Sequence, residues 1–264
     1  RAPEEAVSES QARRVQEQFG ASATAYVASA GHAAGEDLDT LLAWGRARRP
    51  ARVLDVATGG GHTALAFAAI ARTVVAFDLT EPMLRAARDF IRGRGAANVA
   101  FGAGDGEALP FGDGTFDAVT CRIAPHHFAD VAAAIRQIHR VLRPGGSFLV
   151  QDILGHDDPD TNAFITEVEK RRDPSHVRAY RAAEWTAFLR ATGLTVMDET
   201  VVRKVRVWDD WTGRMRMSAE ARRELEAFVR GAPERCRAAF DFKLAGDAVE
   251  SFTDRMILLR ADRD

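Results

Sequence analysis

The sequence Val53-Leu54-Asp55-Val56-Ala57-Thr58-Gly59-Gly60-Gly61-His62-Thr63 decides the fold. Its apolar start predicts a buried strand that ends near a carboxylate, and its three glycines predict a sharp turn into a helix. Such a turn leaves free backbone N–H groups at the carboxyl end of a strand, where open α/β sheets bind their ligands. Taken alone, the stretch is also compatible with an ordinary tight turn, so the strands that follow decide between the two.

Strands and helices alternate after this stretch, which predicts a doubly wound, mostly parallel α/β sheet. The predicted strands cover residues 52–56, 73–77, 99–102, 116–121 and 147–153. Pro144-Gly145-Gly146 predicts a stop and a turn immediately before the fifth of them. Two further strands, over 195–208 and 252–260, predict an antiparallel hairpin at the edge of the sheet.

Residues 8–34 predict a helical arm. Val15, Phe19 and Tyr26 are spaced for one helical stripe, and Ser8 with Gln11 has the spacing of a capping box. The stripe is too thinly apolar to fold alone, so we expect the arm to lie over the main sheet.

Composition excludes several classes of protein. A chain of 264 residues suits one large α/β domain, and a net charge of −2 gives no basic face for nucleic acid. No signal-like apolar segment follows the start, and no apolar run reaches membrane-spanning length. Cys121 and Cys236 lack metal or redox spacing, which indicates two buried thiols in a reducing compartment. We expect a cytoplasmic protein with no nucleic-acid or membrane partner.

Acidic residues follow the second and third predicted strands. Asp78 follows Asp55 at about the spacing of a carboxylate that accepts hydrogen bonds from ribose hydroxyls, although it can instead cap the next helix. Asp105 can accept from the exocyclic amine of an adenine. Met83 can cover one face of the base, and core packing explains it nearly as well. Together these loops predict a nucleoside site.

Two adjacent histidines, His126 and His127, follow the fourth predicted strand. Neighbours in sequence seldom share a metal, and no third ligand stands at a recognisable spacing, so we predict no metal site. A catalytic or ligand-contacting imidazole and a structural histidine remain open as alternatives here.

Taken in order, these motifs resemble those of class I S-adenosylmethionine-dependent methyltransferases. The segments that carry the resemblance are residues 53–61, Phe77-Asp78, 104–116, 121–128 and 140–146. Leu109-Pro110-Phe111 and residues 141–146 are similar to the UbiE/Coq5-like (methyltransferase type 11) branch. Residues 171–178 and the arm resemble uncharacterised bacterial proteins of the YcgJ type. Ala57 departs from the family pattern, which usually has a glycine there.

The resemblance implies a Rossmann-like sheet of seven strands with an antiparallel last strand, and S-adenosylmethionine as the methyl donor, with S-adenosylhomocysteine as product. It implies an arm, 1–36, over the cofactor site and a methyltransferase domain, 37–264, with substrate-shaping segments near 155–182 and 208–248. The residues that would bind the cofactor are Tyr26, His32, Asp55, Ala57, Gly59, Gly61, Asp78, Met83, Asp105, Gly106, Glu107, Arg122 and Ile123.

Methyl transfer is an in-line displacement that depends mainly on positioning, and a general base is needed only where the acceptor loses a proton. The candidate bases are His126, His127 and His176, with Tyr26 and Tyr180 as weaker ones. The candidate substrate-binding residues are Arg171, Arg172, Arg178 and Tyr180. A solvated basic loop explains the arginines equally well, and Trp208 with Trp211 either shapes the acceptor pocket or packs in the core.

The first hypothesis is therefore methyl transfer to a small-molecule acceptor. A nicotinamide-dependent oxidoreductase shares the fold but is disfavoured, because Ala64 stands where its glycine pattern continues. A binding protein that senses the cofactor without turnover is a third class. RNA and protein acceptors are disfavoured because the sequence shows no appended binding module. The acceptor atom, whether O, N or C, and the oligomeric state are left open.

Overall fold

The structure is a computed structural model that describes residues 3–20 and 35–264. The helices are α1 (Pro3–Gly20), α2 (Glu36–Arg48), α3 (His62–Ala68), α4 (Glu81–Gly93), α5 (Val131–Val141), α6 (Pro159–Arg172), α7 (Ala182–Ala191), α8 (Trp208–Arg214), α9 (Ala219–Gly231) and α10 (Glu234–Ala239). The strands are β1 (Arg52–Val56), β2 (Thr73–Asp78), β3 (Val99–Ala103), β4 (Phe116–Arg122), β5 (Leu142–Ile153), β6 (Leu194–Val207), β7 (Lys243–Ala245) and β8 (Ala248–Arg263).

These strands form one sheet in the order β3-β2-β1-β4-β5-β8-β6, and the short β7 pairs with β8. Strands β1 to β5 are parallel, whereas β8 runs antiparallel to both β5 and β6. The predicted sheet, mostly parallel with an antiparallel last strand, is confirmed, and the three-residue β7 is an addition to it. Because the chain winds to one side from β1 and to the other from β4, the carboxyl ends of these two strands form the switch point of the sheet.

The fifth strand begins earlier than the sequence predicts. Phe116 pairs with Leu142 and Ala118 with Ser147, so the residues between Leu142 and Ser147 bulge out of the ladder. The predicted turn at Pro144-Gly145-Gly146 is therefore a bulge within β5, with Gly145 at a φ of 72°. At the other end of the sheet, β6 ends at Val207, and Trp208 begins α8 rather than closing the strand.

Helices cover both faces of the sheet, as the alternation of buried residues requires. In β1, Leu54 and Val56 pack with α5 and α7 on one face. Val53 points the other way, into the cluster built with α2, α3 and α4. Both cysteines are buried and free. A third cluster, distinct from the two sheet faces, joins α6 to α8, α9 and α10 through residues that include Phe164, Trp208 and Trp211.

A buried carboxylate fixes the start of α2 to the sheet. Oδ2 of Asp37 accepts hydrogen bonds from Nζ of Lys204 at 2.7 Å, Nε2 of Gln151 at 2.7 Å and Nη1 of Arg122 at 3.1 Å. Burial alone would raise the pKa of Asp37, but the Lys204 ammonium and the other donors outweigh it and lower the pKa. The helix is thereby tied to β4, β5 and β6. Within the described ranges, no helix is long and apolar enough to cross a membrane.

The glycine that ends the turn after β1 provides a test of this packing. Gly61 has a φ of 84°, and a Cβ there would lie 2.8 Å from Cδ1 of Ile91 and 3.1 Å from Cβ of Ala87. We expect Gly61→Ala to lower the free energy of unfolding by about 1–3 kcal/mol, because backbone strain and overpacking add. Urea unfolding measures the change.

Gly93→Ala is the matched control, because a Cβ at Gly93 in α4 meets no heavy atom within 4 Å. It should leave the free energy of unfolding unchanged or raise it by less than about 1 kcal/mol. Equal losses in the two variants would contradict the packing argument.

Candidate functional site

The carboxylate of Asp78 joins the loop after β1 to the loop after β2. Its Oδ2 accepts from the backbone N–H of Gly59 at 2.8 Å, and its Oδ1 accepts from that of Thr80 at 2.8 Å. The N–H of Thr58 also donates to the carbonyl of Phe77, at 3.0 Å. Burial raises the pKa of Asp78 against the effect of the two N–H donors. These bonds hold the two loops side by side at the switch point.

The alanine at position 57, where the family pattern usually has a glycine, leaves the turn intact. Ala57 adopts a left-handed conformation with a φ of 54°, and Gly59 follows with a φ of 53°. An alanine in this region is disfavoured by about 1–2 kcal/mol, whereas a glycine enters it freely. The chain therefore keeps the glycine-type turn with a methyl group at its first position.

Asp55 is buried directly beneath this turn. Its Oδ2 accepts from the hydroxyl of Thr58 and its Oδ1 from the hydroxyl of Thr120, both at 2.6 Å. Burial raises its pKa to about 6, and the two hydroxyl donors oppose that rise only in part. Asp55 thus holds the loop as an acceptor of short hydrogen bonds at the floor of the site.

The loops after β1, β2, β3 and β4 surround a cavity of about 1070 Å³, the outer cavity. It is lined by ten of the residues predicted to bind the cofactor: Asp55, Ala57, Gly59, Asp78, Met83, Asp105, Gly106, Glu107, Arg122 and Ile123. Gly61 does not line it, because this glycine packs behind the wall against α4. Tyr26 and His32 lie outside the described residues. The sequence therefore located the cavity through its strand ends.

The outer cavity is acidic. Asp55, Asp78, Asp105 and Glu107 line it, and Arg122 is the one arginine or lysine among its described lining residues. Glu107 accepts from the N–H of Ala129 at 2.7 Å, and burial raises its pKa. Such a lining favours a ligand that carries positive charge. Met83 is only 2% exposed, so its side chain both packs in the core and touches this cavity.

Helix α1 closes one side of the outer cavity with Gln11, Ala12, Val15 and Phe19. Nε2 of Gln11 donates to the carbonyls of His127 at 3.0 Å and Ser175 at 2.5 Å, which ties the helix to the site. The capping-box prediction for Ser8 and Gln11 is wrong, because the helix already begins at Pro3.

Several residues that line this cavity were not predicted as site residues, and Gln11 is one of them. No local pattern in the sequence signals the tertiary contact of Gln11. Leu79 and Phe128 also line the cavity, and each directly follows a residue that the sequence did single out. Adjacency to a strand end was the signal that could have found these two.

The three candidate histidines cluster behind the outer cavity. The ring centroids of His126 and His127 are 4.1 Å apart, and those of His126 and His176 are 5.0 Å apart. His127 lines the outer cavity, whereas His126 and His176 do not. His176 is buried, and its Nε2 has no hydrogen-bond partner in the part of the chain that the structure describes. Of the three, His127 is therefore best placed for contact with a ligand.

The charge states of these histidines differ. Burial alone would lower the pKa of His126, but Asp152, whose Oδ1 is 2.5 Å from Nδ1, outweighs it and raises the pKa. Burial lowers the pKa of His127, and the neighbouring His126 lowers it further. Burial, with the same neighbour, also lowers the pKa of His176. The cluster therefore favours the protonated form at His126, which pairs with Asp152, and the neutral form at His127.

A second cavity of about 520 Å³, the inner cavity, adjoins the first. Phe19, Ile123 and His127 line both. The other lining residues of the inner cavity are His126, Ile153, Glu169, Arg172, Asp173, Arg206, Trp211, Arg214 and Asp254. Several of these come from the segments near 155–182 and 208–248 that the sequence predicts to shape the substrate.

The candidate substrate-binding residues are spread over different surroundings. Arg172 lines the inner cavity and donates from Nε to the carbonyl of Trp211 at 2.9 Å. Arg171 pairs with Glu167 at 2.8 Å on the outside of α6. Arg178 pairs with Glu184 and packs over the ring of Tyr180, and neither Arg178 nor Tyr180 lines the two cavities. Among the described residues, no group of three or more His, Cys, Asp or Glu side chains is arranged to hold a metal ion.

Comparison with known proteins agrees with this fold. A family model described as a methyltransferase domain matches residues 54–150. The chain is 36% identical to the uncharacterised methyltransferase YcgJ of Bacillus subtilis over 79% of this chain and 82% of YcgJ. A crystal structure of YcgJ superposes with a TM-score of 0.83 at 34% identity, over 86% of this chain and 97% of that one. The chain therefore belongs to the class I S-adenosylmethionine-dependent methyltransferases.

Of two other relatives, one has a lower sequence identity and the other matches a smaller share of the chain. The uncharacterised protein YafE of Escherichia coli is 31% identical over 72% of this chain and 90% of YafE. A demethylmenaquinone methyltransferase of Thermus thermophilus is 44% identical, over 44% of this chain and 52% of its own length. The predicted relation to the UbiE-like branch is confirmed over part of the chain.

The buried Asp55 gives a pH-dependent prediction. Its pKa of about 6 lies above the ordinary value of 3.8, so ionised Asp55 destabilises the folded protein at neutral pH. We expect Asp55→Asn to be more stable than the natural chain by about 1–3 kcal/mol above pH 7. The gap should shrink as the pH falls through about 6 and vanish below about 3, because the carboxyl is then protonated in both states.

Urea unfolding across this pH range measures the gap, with the exposed Asp89→Asn as the control for the loss of one charge. A gap that is absent at neutral pH, or that widens in acid, would contradict the assignment of Asp55 as a strained buried carboxylate.

Proposed function

We propose that the protein transfers a methyl group from S-adenosylmethionine in the outer cavity to a polar small molecule in the inner cavity. The observation that supports this most strongly is the pair of adjoining cavities, one with an acidic lining at the switch point of the sheet, the other lined by charged side chains of both signs. The shared residues Phe19, Ile123 and His127 mark where donor and acceptor would meet.

The residues of the outer cavity fit this donor. A Cβ built on Gly59 meets no heavy atom within 4 Å, so the turn opens freely onto the cavity. When bound, S-adenosylmethionine supplies an electrophilic methyl group on a positively charged sulfur. The four carboxylates of the lining favour that charge and disfavour a dinucleotide with its anionic pyrophosphate.

Each loop has a separate role in this proposal. Asp78, already oriented by two backbone N–H groups, would accept from the ribose hydroxyls with its remaining lone pairs. Asp105, Gly106 and Met83 would hold the adenine end. The backbone at Arg122 and Ile123 would meet the amino-acid end, next to the turn at Ala57.

The inner cavity supports a small polar acceptor. Glu169, Asp173 and Asp254 contribute negative charge, while Arg172, Arg206 and Arg214 contribute positive charge. Arg206 pairs with Asp254 at 2.8 Å, and Arg172 lies 3.6 Å from Glu169. Burial, and then the nearby Asp254, raises the pKa of Glu169. A lining with this balance of charge favours a ligand with polar groups over one that is wholly apolar.

His127 would accept a proton where the acceptor must lose one. Its Nδ1 lies 3.2 Å from both the carbonyl and the hydroxyl oxygen of Ser175. Since a carbonyl only accepts, this contact places the ring hydrogen on Nδ1 and leaves a lone pair on Nε2. The neutral state of His127 keeps that lone pair available. The hydrogen bond between His126 and Asp152 fixes the orientation of the neighbouring imidazole ring.

The ribose role of Asp78 leads to a binding prediction. Asp78→Ala should weaken the affinity for S-adenosylmethionine and S-adenosylhomocysteine by at least about tenfold, because each lost carboxylate contact is worth on the order of 1.4 kcal/mol. Calorimetric titration measures both, and the melting temperature shows that the variant is folded. The exposed Asp89→Ala on α4 is the control, and unchanged affinity in Asp78→Ala would refute the ribose assignment.

The general-base role of His127 leads to a kinetic prediction. An acceptor is first found by screening alcohols, phenols and amines for formation of S-adenosylhomocysteine. His127→Ala should then slow the transfer step by about 10²-fold or more, while cofactor affinity changes much less. His139→Ala, on α5, is the control for loss of an imidazole. Equal losses of binding and rate at His127 would indicate a structural histidine.

A further inference from the structure

Strand β6 (Leu194–Val207) is an edge of the sheet. Its inner side pairs with β8 along nearly its whole length, and no described strand pairs with its outer side. Edge strands carry a row of unpaired N–H and C=O groups that can pair with another chain. At 14 residues, β6 is unusually long for an open edge.

One face of β6 is apolar and exposed. Met197, Val201, Val205 and Val207 are 52%, 40%, 69% and 53% exposed, and they are four of the five large hydrophobic side chains that are exposed among the described residues. A bulge between Val196 and Asp198 interrupts the alternation of side chains at Met197, but alternation holds beyond it, so Val201, Val205 and Val207 share one face. Isolated exposed valines are common, but a row of them on one open edge indicates a contact surface.

The opposite face of β6 is already anchored within the chain. Asp198 pairs with Arg260 at 2.5 Å, Lys204 with Asp37 at 2.7 Å and Arg206 with Asp254 at 2.8 Å. The strand is thereby held in place through its even-numbered side chains, while no described strand pairs with its outer edge.

The charges on the exposed face are arranged with two-fold symmetry about Val201. Glu199 and Arg203 lie on either side of it, and neither forms an ion pair with any other described residue. If two copies of β6 pair antiparallel around Val201, Glu199 lies opposite Arg203 of the second copy. In the same register Val201 lies opposite Val201 of the second copy. Opposite charges and apolar pairs across a ladder both stabilise it.

Other registers of the same pairing are disfavoured. A pairing centred on Glu199 would set two carboxylates opposite each other, and one centred on Arg203 would set two guanidinium groups opposite each other. Like charges directly opposite destabilise a ladder. Registers centred on Thr200 or Val202 set Glu199 opposite a valine instead. The register around Val201 is thus the one in which Glu199 and Arg203 pair with each other across the two-fold axis.

We propose that the protein forms a symmetric dimer in which the β6 strands of two copies pair antiparallel around Val201, continuing one sheet across both. The cofactor cavity lies at the ends of β1 and β4, away from this edge, and Arg206, the β6 residue that lines the inner cavity, is on the face opposite to Val201. The competing role of the same charges is to guard the edge against association, and it predicts a monomer.

The test is the molar mass in solution, from light scattering coupled to gel filtration and from sedimentation over a concentration series. The natural chain should show twice the mass of one chain. Glu199→Arg and Arg203→Glu should each weaken the dimer by at least about tenfold, because two-fold symmetry places each like-charge contact in the interface twice. Val201→Lys, which sets two ammonium groups on the axis, should do the same.

The double variant Glu199→Arg with Arg203→Glu decides the matter, because it restores opposite charges in the same register and should restore the dimer. Glu224→Arg, an equal charge change on the exposed side of α9, is the control and should leave the mass unchanged. Circular dichroism and melting temperature show that each variant is folded.

A natural chain that stays monomeric over the whole series would overturn the proposal. So would a dimer that survives both single reversals, or a double variant that is as monomeric as either single one. None of these readouts depends on methyl transfer, so the outcome is independent of the proposed function.

Discussion

The site depends on one carboxylate, that of Asp78, which binds the N–H of Gly59 and the N–H of Thr80 at once. The two loops that it joins come from adjacent parallel strands, and both must leave the sheet sharply to open a space between them. Ala57 and Gly59 make that turn in the left-handed region of the backbone. The strain of an alanine there and the burial of Asp55 and Asp78 are unfavourable for folding. They persist because the surrounding sheet, which packs against helices on both faces, holds the loop in this conformation.

Positioning accounts for the rest of the architecture. Helix α1 closes the outer cavity, and the contacts of Gln11 with the carbonyls of His127 and Ser175 tie that helix to the wall between the two cavities. The cluster around Phe164 and Trp211 then builds the inner cavity beyond β5, where the parallel sheet ends. A methyl transfer needs few chemical groups from the protein but requires donor and acceptor to be held in line. Two cavities that share a wall meet that requirement.

Local patterns were enough to predict the sheet and most of the outer cavity, because strand ends and glycine turns have sequence signatures. The bulge at Pro144-Gly145-Gly146 was not predictable, since pairing with β4 decides whether such residues interrupt a strand or follow it. Gly61 was assigned to the cofactor, yet its φ and its contact with Ile91 explain it by packing. The contacts of Gln11 and the separation of Arg172 from Arg171 depend on tertiary structure, about which residue spacing carries no information. The sequence predicted three histidines near the site. The tertiary structure decides that His127 lines the outer cavity and that His126 and His176 do not.

The most direct measurement is a calorimetric titration of the natural chain with S-adenosylmethionine, S-adenosylhomocysteine and NAD under the same conditions. We expect the first two to bind with one site per chain and NAD to show no binding, because the acidic lining of the outer cavity repels a pyrophosphate. Binding of NAD alone, or of none of the three, would contradict the assignment of this cavity to S-adenosylmethionine.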